Sequence, residues 1–498
     1  MSRRNVFALA MVGALTTLCW QASQGAKPKD EMMELYGVFV DAVEQVESNY
    51  VRPVNRRELL ESALKGMLTN LDPHSSYINT SEWKQFKRQI EGKFGGIGIQ
   101  VGMDQDTNRL KVIAPMVGTP AYEAGVLSGD IIMEIDDQST EGMTPDKAVE
   151  ILTGRPGTNV KLQVLHEGDE KTDTLTMARA IIDVPSVLGD KRKPNDQWDF
   201  MYDNDKKIGY IRITSFIQNT TDELKKALAE LKEAGAKALI LDLRDNPGGL
   251  LGAAVEVSDL FVDDGKIVST KGRNTIGKSY EAQKEGPYED IPMAVLINHN
   301  SASAAEIVSA CLQDHNRAVI IGERSYGKGS VQNIIDLEDG NSVLKLTVAT
   351  YQRPSGKNIH RFKNAKASDE WGVSPSPGLG LDLNRTQYEN WFLGRRDRDL
   401  HTMGKRRPKA PGERAMPEAK DEAKKPEGEK PEAKDEAKKP EAEKPEAKDE
   451  AKKPEAEKPE AKPEEAAKEP KETPFVDKQL ELALKVIKEK LEAPIAKK

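Results

Sequence analysis

The chain has 498 residues, enough for two or three domains. Its apolar fraction is 37%, its charged fraction 31%, and its formal net charge −8. That acidity, with no basic stripe interleaved by aromatics, argues against nucleic-acid binding. The two cysteines, Cys19 and Cys311, exclude a disulfide framework.

The first 26 residues read as an export signal. Arg3 and Arg4 form a positive start, Val6 to Leu18 an apolar core of h-region length, and small residues follow from Ala22 to Ala26. An uncleaved membrane anchor is the alternative, although the run falls short of roughly 20 residues. Lipid attachment at Cys19 is a third reading, in a poor context. The protein is therefore expected outside the cytoplasm, in the periplasm or an equivalent space, released or tethered by its N-terminus.

Residues 30–92 alternate apolar and polar positions at helical spacing. Leu35, Val38, Phe39, Ala42, Val43 and Val46 share one face, and Leu59, Leu60, Ala63, Leu64, Met67 and Leu68 another. Pro73 breaks the pattern within LDPHSSY (71–77), where His74 reads as a loop residue because no acid or cysteine stands at metal-ligand spacing.

Residues 93–178 change character, with short β-rich runs and many glycines. FGGIGI alternates glycine with apolar residues, which leaves its N–H groups accessible to a chain-terminal carboxylate. With AGVLSGDIIMEID and the helix-like TPDKAVEIL that follow, the segment resembles a PDZ domain of the kind found in bacterial proteases. The resemblance implies that Gly96, Ile97, Gly98 and Ile99, together with Val149 and Leu152 of the helix, form the groove for a peptide C-terminus.

From about residue 206 strands and helices alternate. KIGYIRI, KALILDL, PMAVLIN and RAVIIG read as strands, while TDELKKALAELKEAG, GAAVEVSDLFV and SAAEIVSACLQDH read as helices. This is the rhythm of βαβ units with right-handed crossovers, an α/β core within a chain that is α+β as a whole. A repeat of 14 residues in Lys, Glu, Pro and Ala then starts at 418, 432 and 446. It has almost nothing to bury, so a disordered linker is expected over 396–474. An amphipathic helix closes the chain at 475–492, with Phe475, Leu480, Ala483, Leu484, Ile487 and Leu491 on its apolar side.

INHNSASAAE (297–306) sets small residues and two serines at a strand-to-helix turn. Ser301 or Ser303 could be a nucleophile, since a helix N-terminus favours developing negative charge, and a plain tight turn explains the composition equally well. His299 and His315 are the nearest apparent bases. Ala304 is small enough to leave its N–H open, and Gly248 or Gly249 of RDNPGG could offer a second oxyanion donor. Lys328, between glycines in ERSYGKGSVQ, lacks P-loop spacing. If buried it would lose its proton readily and serve as a base.

These motifs, LDPHSSY, LDLRDNPGG and NHNSASAAEIVSACLQDHNRAVIIGERSYGKGSVQ, resemble those of the carboxy-terminal processing proteases over roughly residues 30–385. The resemblance implies a crotonase-like ββα peptidase core over 179–395 and a Ser–Lys dyad. Ser303 becomes the nucleophile, Lys328 the base, Gln332 the residue that orients the lysine, and Asp314 an acid implicated in some members. His299 and His315 become bystanders. No metal or cofactor is implied. The partners implied are protein substrates with free C-termini, an adaptor, and further copies of the chain through the terminal helices. Thr153 stands where family members often carry a PDZ arginine, and Arg155 lies two places later. Two rival readings are an inactive PDZ scaffold and an acyl-CoA enzyme of crotonase type, which leaves the PDZ segment unexplained.

Overall fold

A computed structural model describes residues 31–400 and 476–492, apart from 196, 275, 284–287, 289 and 290. The expected signal and the repeat segment from 401 onward lie outside the described residues.

The N-terminal region holds α1 (Glu31–Asn49), α2 (Arg56–Thr69), β1 (Ser76–Ile78) and α3 (Thr80–Glu91). Asn79 starts α3 with a capping box, its own N–H donating to Glu82. LDPHSSY turns because Asp72 accepts the N–H groups of His74 and Ser75, at 2.7 and 2.8 Å. The helical periodicity of α1 is present, yet Leu35, Val38, Phe39 and Val46 are exposed in the single chain.

Next come β2 (Lys93–Gly96), β3 (Ile99–Asp104), β4 (Arg109–Pro115), β5 (Ile131–Ile135), α4 (Pro145–Leu152), β6 (Asn159–Leu165), β7 (Thr172–Ala178) and β8 (Ala180–Asp183). Strands β3 to β7 form one antiparallel sheet in chain order. It encloses a core of its own, built on Ile97, Leu110, Ile132, Ala148 and Leu162. The ribbon β2–β8 joins this domain to the rest at both of its ends.

The third region is built on strands too apolar for a one-sided sheet. β9 (Ile208–Ile213), β10 (Ala238–Asp242), β12 (Met293–Ile297) and β13 (Ala318–Gly322) run parallel in that order, with Ile240 beside Ala294 and Val295 beside Ile320. Every residue of β9, β10 and β12 is buried, so both faces need covers. α5 (Thr220–Glu233), α6 (Leu251–Asp259) and α7 (Ala304–Asp314) cover the face bearing Leu239, Leu241 and Val295. The face bearing Tyr210, Ile240 and Leu296 is covered by the C-terminal helix α9 (Lys478–Glu492), through Leu480, Ala483 and Ile487. Burying side chains such as Leu480 and Ile487 contributes about 1.5–3 kcal/mol each.

β11 (Lys266–Gly272) and the long hairpin β14 (Ser330–Leu337) and β15 (Ser342–Gln352) build a second sheet, to which β1 adds by pairing Ser76 with Lys345. α8 (Arg385–Leu400) extends past the expected linker start at 396. Beyond that point Arg398 pairs with Asp190 and Asp399 with Arg395.

Candidate active site

Strand β12 ends in a loop whose hydrogen bonds set the two serines apart. Ser301 is fully buried; its hydroxyl donates to the Leu243 carbonyl at 2.8 Å and accepts the Asn298 N–H at 2.9 Å. It staples the loop and has no freedom to attack anything. Ser303, two residues on, is the residue before α7, with φ 54° and ψ −113°. A non-glycine residue there is strained, as at the strand-to-helix elbow that presents the nucleophile of α/β hydrolases. Its side chain lines a cavity of about 880 Å³ that also takes in Lys328, Gln332, Gly248 and Gly249.

The loop 244–249 closes tightly on this elbow. A Cβ on Gly248 would stand 2.7 Å from Ser303 Cβ and 2.9 Å from Ala304 N, so no side chain fits. Gly249 is held as closely, against the Phe216 carbonyl, with φ 145°. The two glycines differ in one respect that bears on the oxyanion expectation. Gly248 donates its N–H to Asn246 Oδ1 at 2.8 Å, which removes it as an open donor. Among the described residues, the N–H groups of Gly249 and Ala304 donate to nothing.

Lys328 reaches the same cavity from the loop between β13 and β14. It is half-buried, and its amine has no hydrogen-bond partner among the described residues. Burial pushes its pKa down, the nearby Lys345 ammonium pushes it further, and Glu306 opposes them.

Glu306 is a residue the sequence reading missed. It is fully buried in the first turn of α7. One carboxylate oxygen accepts Ser325 Oγ and Gly327 N, both at 2.6 Å, and the other accepts Ser303 N and Lys328 N, both at 2.8 Å. One carboxylate thus ties the backbone of Ser303 to the backbone of Lys328. Burial raises its pKa to about 7, against the pull of those four donors. Its signal lay in the sequence as Ser303-Ala-Ala-Glu306, the S-x-x-E spacing of a capping box.

Other expected residues fall differently. Gln332 lines the cavity, but its amide donates to Ser330 Oγ and Thr347 Oγ1, at 2.8 and 3.2 Å, and not to Lys328. Asp314 stands at the far end of α7 in an ion pair with Arg353 at 2.6 Å, because eleven residues of helix carry it away from Ser303. His299 bonds Glu323 and His315 bonds the Lys266 carbonyl, so neither imidazole serves Ser303. Within the expected peptide groove, Ile97 and Leu152 belong to the domain core and Gly96 pairs with Ala180 in the ribbon. Ile99 opens β3. The carbonyl of Gly98 is taken by Met116 N. Val149 is the exposed member, and with Thr153 it lines the Ser303 cavity itself.

The chain matches the model of peptidase family S41 over residues 207–366, that of the PDZ domain over 85–165, and that of the activating protease CtpB N-terminal domain over 16–82. It is 41% identical over 327 residues to a carboxy-terminal-processing protease of Bartonella bacilliformis, covering 64% of this chain and 71% of the relative. It is 36% identical to the carboxy-terminal processing protease CtpA of Bacillus subtilis, covering 68% of each chain. A solved photosystem II D1 C-terminal processing protease is 30% identical, covering 69% of this chain and 92% of that one, with a TM-score of 0.39. These relatives favour an active peptidase over the scaffold and acyl-CoA readings. A serine-type peptidase domain and a PDZ domain in one chain, at this identity over this length, make the protein a member of the carboxy-terminal processing proteases of peptidase family S41.

Proposed function

We propose that Ser303 and Lys328 form the catalytic dyad of this processing protease. One observation carries the reading: a strained serine at a helix N-terminus and a half-buried lysine without a partner face one cavity. Neutral Lys328 takes the proton of Ser303 Oγ as that oxygen bonds to the scissile carbonyl carbon. The N–H groups of Ala304 and Gly249 receive the oxyanion. The tetrahedral species collapses, the C–N bond breaks, and the leaving amine takes the proton from Lys328. Water, deprotonated by the same lysine, then hydrolyses the acyl-serine. Gln332 lies within the cavity with its amide NH2 held by Ser330 and Thr347, and its Oε1 is the atom that would accept a hydrogen bond from the Lys328 amine.

Around that dyad the reading extends to the whole chain. Residues 1–26 direct export, 93–178 are a PDZ domain and 179–400 a crotonase-like peptidase core. Residues 401–474 are a linker to the terminal helix. Among the described residues no helix is long and apolar enough to cross a membrane. The PDZ domain takes the C-terminus of a protein substrate between β3 and α4, where Val149 borders the dyad cavity. The exposed apolar residues of α1 are the natural contact for a second copy of the chain or an adaptor.

The test is cleavage of a labelled unfolded protein by Ser303→Ala and Lys328→Ala chains, with folding checked by circular dichroism. Both lose cleavage altogether. Full activity in Lys328→Ala removes the dyad, and loss in Ser301→Ala with activity kept in Ser303→Ala moves the nucleophile.

A further inference from the structure

The second cover of the parallel sheet brings more than apolar surface. At the start of α9 stands Asp477, whose Oδ1 accepts the Leu480 N–H at 3.0 Å and so caps its own helix. The same carboxylate reaches across to Arg244, with Nη1 to Oδ1 at 2.9 Å and Nη2 to Oδ2 at 2.8 Å. This is the two-pronged geometry that fixes a guanidinium in orientation as well as in place. Gln479, fully buried, accepts a further bond from Nη1 at 3.1 Å. Trp391 of α8 lies against the guanidinium, 4.7 Å from its ring centre, and donates its indole N–H to Asp477 Oδ2.

Arg244 is the first residue of the loop that bears Gly248 and Gly249. Its other side is held by Asp242 at the end of β10, with Nη2 to Oδ2 at 2.6 Å, and Asp242 in turn accepts the Tyr210 hydroxyl at 2.7 Å. Asp245 follows Arg244 with φ 55°, a conformation that a non-glycine residue keeps only under constraint. Asn246 comes next, and it passes the position on in two directions. Its carbonyl accepts the Ala302 N–H at 2.9 Å, one residue before Ser303, and its side chain holds Gly248. Hydrogen bonds from Asp477 to Arg244, the covalent backbone from Arg244 to Asn246, and hydrogen bonds from Asn246 to Ala302 and Gly248 therefore link the terminal helix to both sides of the oxyanion site.

We propose that Asp477, delivered from the far side of residues 401–475, is a positioning residue that sets the 244–249 loop for catalysis. The terminal segment is then a working part of the active site. This rests on the reading of Ser303 as nucleophile and of Gly249 as an oxyanion donor. Because the oxyanion exists only after attack, a displaced donor weakens the transition state and leaves ground-state binding alone.

The experiment compares full-length Asp477→Asn with Ile487→Ala. The first keeps the size of the side chain and removes its charge. The second loosens the apolar docking of α9 without touching Arg244. Asp477→Asn lowers kcat by about tenfold with KM unchanged, short of the ~10²–10³ seen when an oxyanion donor is lost outright. Ile487→Ala lowers the unfolding midpoint and keeps kcat, measured where all chains are folded. Phosphonylation of Ser303 by a fluorophosphonate slows in Asp477→Asn by a similar factor. Wild-type kcat in Asp477→Asn overturns the proposal, as does an equal fall in kcat for Ile487→Ala. If Asp477→Asn fails to fold, Gln479→Leu, which removes the neutral acceptor of the same guanidinium, gives a smaller fall in kcat, and no fall overturns the proposal. A wild-type chain whose Ser303 is not labelled refutes the nucleophile instead, and the kcat comparison still decides the role of Asp477.

Discussion

Helix α7 carries Glu306 in its first turn and Asp314 in its last, and a rise of 1.5 Å per residue sets them roughly 12 Å apart. Both carboxylates tie the helix to a distant segment, and they do so by different chemistry. Glu306 is fully buried and faces only neutral donors, two of them the backbone N–H groups of Ser303 and Lys328. Burial therefore wins, and its pKa rises to about 7. Asp314 keeps some exposure and meets a cation. Burial is the largest influence and pushes it up, but the hydrogen bonds from Arg353 and Ser355 together with the Arg353 charge offset it and hold the carboxyl below its ordinary value. The helix end beside the proposed dyad uses a carboxylate to organise backbone, whereas the other end uses an ion pair to stay docked.

The largest effect that tests this contrast is Glu306→Gln. The amide nitrogen replaces an oxygen that accepts two donors, and each buried donor left without a partner costs about 1–3 kcal/mol. The two loops bearing Ser303 and Lys328 come apart, so cleavage falls on the order of 10²-fold while Asp314→Asn leaves it near wild type. Steady-state cleavage of one peptide by both chains decides. Equal losses would mean that α7 acts only as a rigid block.

Next in size is stability. Asp314→Asn leaves Arg353 without its anion, at a cost of about 1–3 kcal/mol for a pair that is a tenth exposed. The sign with pH follows from a folded pKa below the unfolded one. The stabilisation is complete above the unfolded value near 3.8 and is lost as pH falls through it to the folded value. Urea unfolding of the two chains should differ at pH 7 and converge below about pH 4, and a constant difference across that window would contradict the ion-pair account.

The same contrast shows what could be read from the sequence. The α/β alternation, the glycine-rich domain and the terminal amphipathic helix were all legible, because each rests on local periodicity. Ser303 and Lys328 are proposed from the family resemblance, through a motif spacing that a strand-to-helix turn and a glycine-flanked loop preserve. Asp314 was proposed by the same arithmetic, and there it failed to bring the residue to the site, since helix geometry carries position 314 away from position 303. Glu306 was visible only as half of a capping box. What the box could not reveal is that its carboxylate also receives Gly327 and Lys328 from another loop, a contact made by tertiary packing alone. The pairing of Arg244 with Asp477 is non-local in the same way.

The smallest effect is the most specific to the base. Lys328 must be neutral to accept a proton, so kcat/KM rises with pH along a limb set by its lowered pKa. Burial sets most of that lowering, Lys345 adds to it as a like charge, and Glu306 opposes it. Lys345→Gln removes the like charge, protonated Lys328 becomes less costly, and the limb moves to higher pH. Glu306→Gln removes the opposing anion, and the limb of its residual activity moves to lower pH. Opposite displacements of one limb identify the titrating group by its two neighbours. A limb that stays fixed in both chains would belong to some other group, and Lys328 would lose its place as the base.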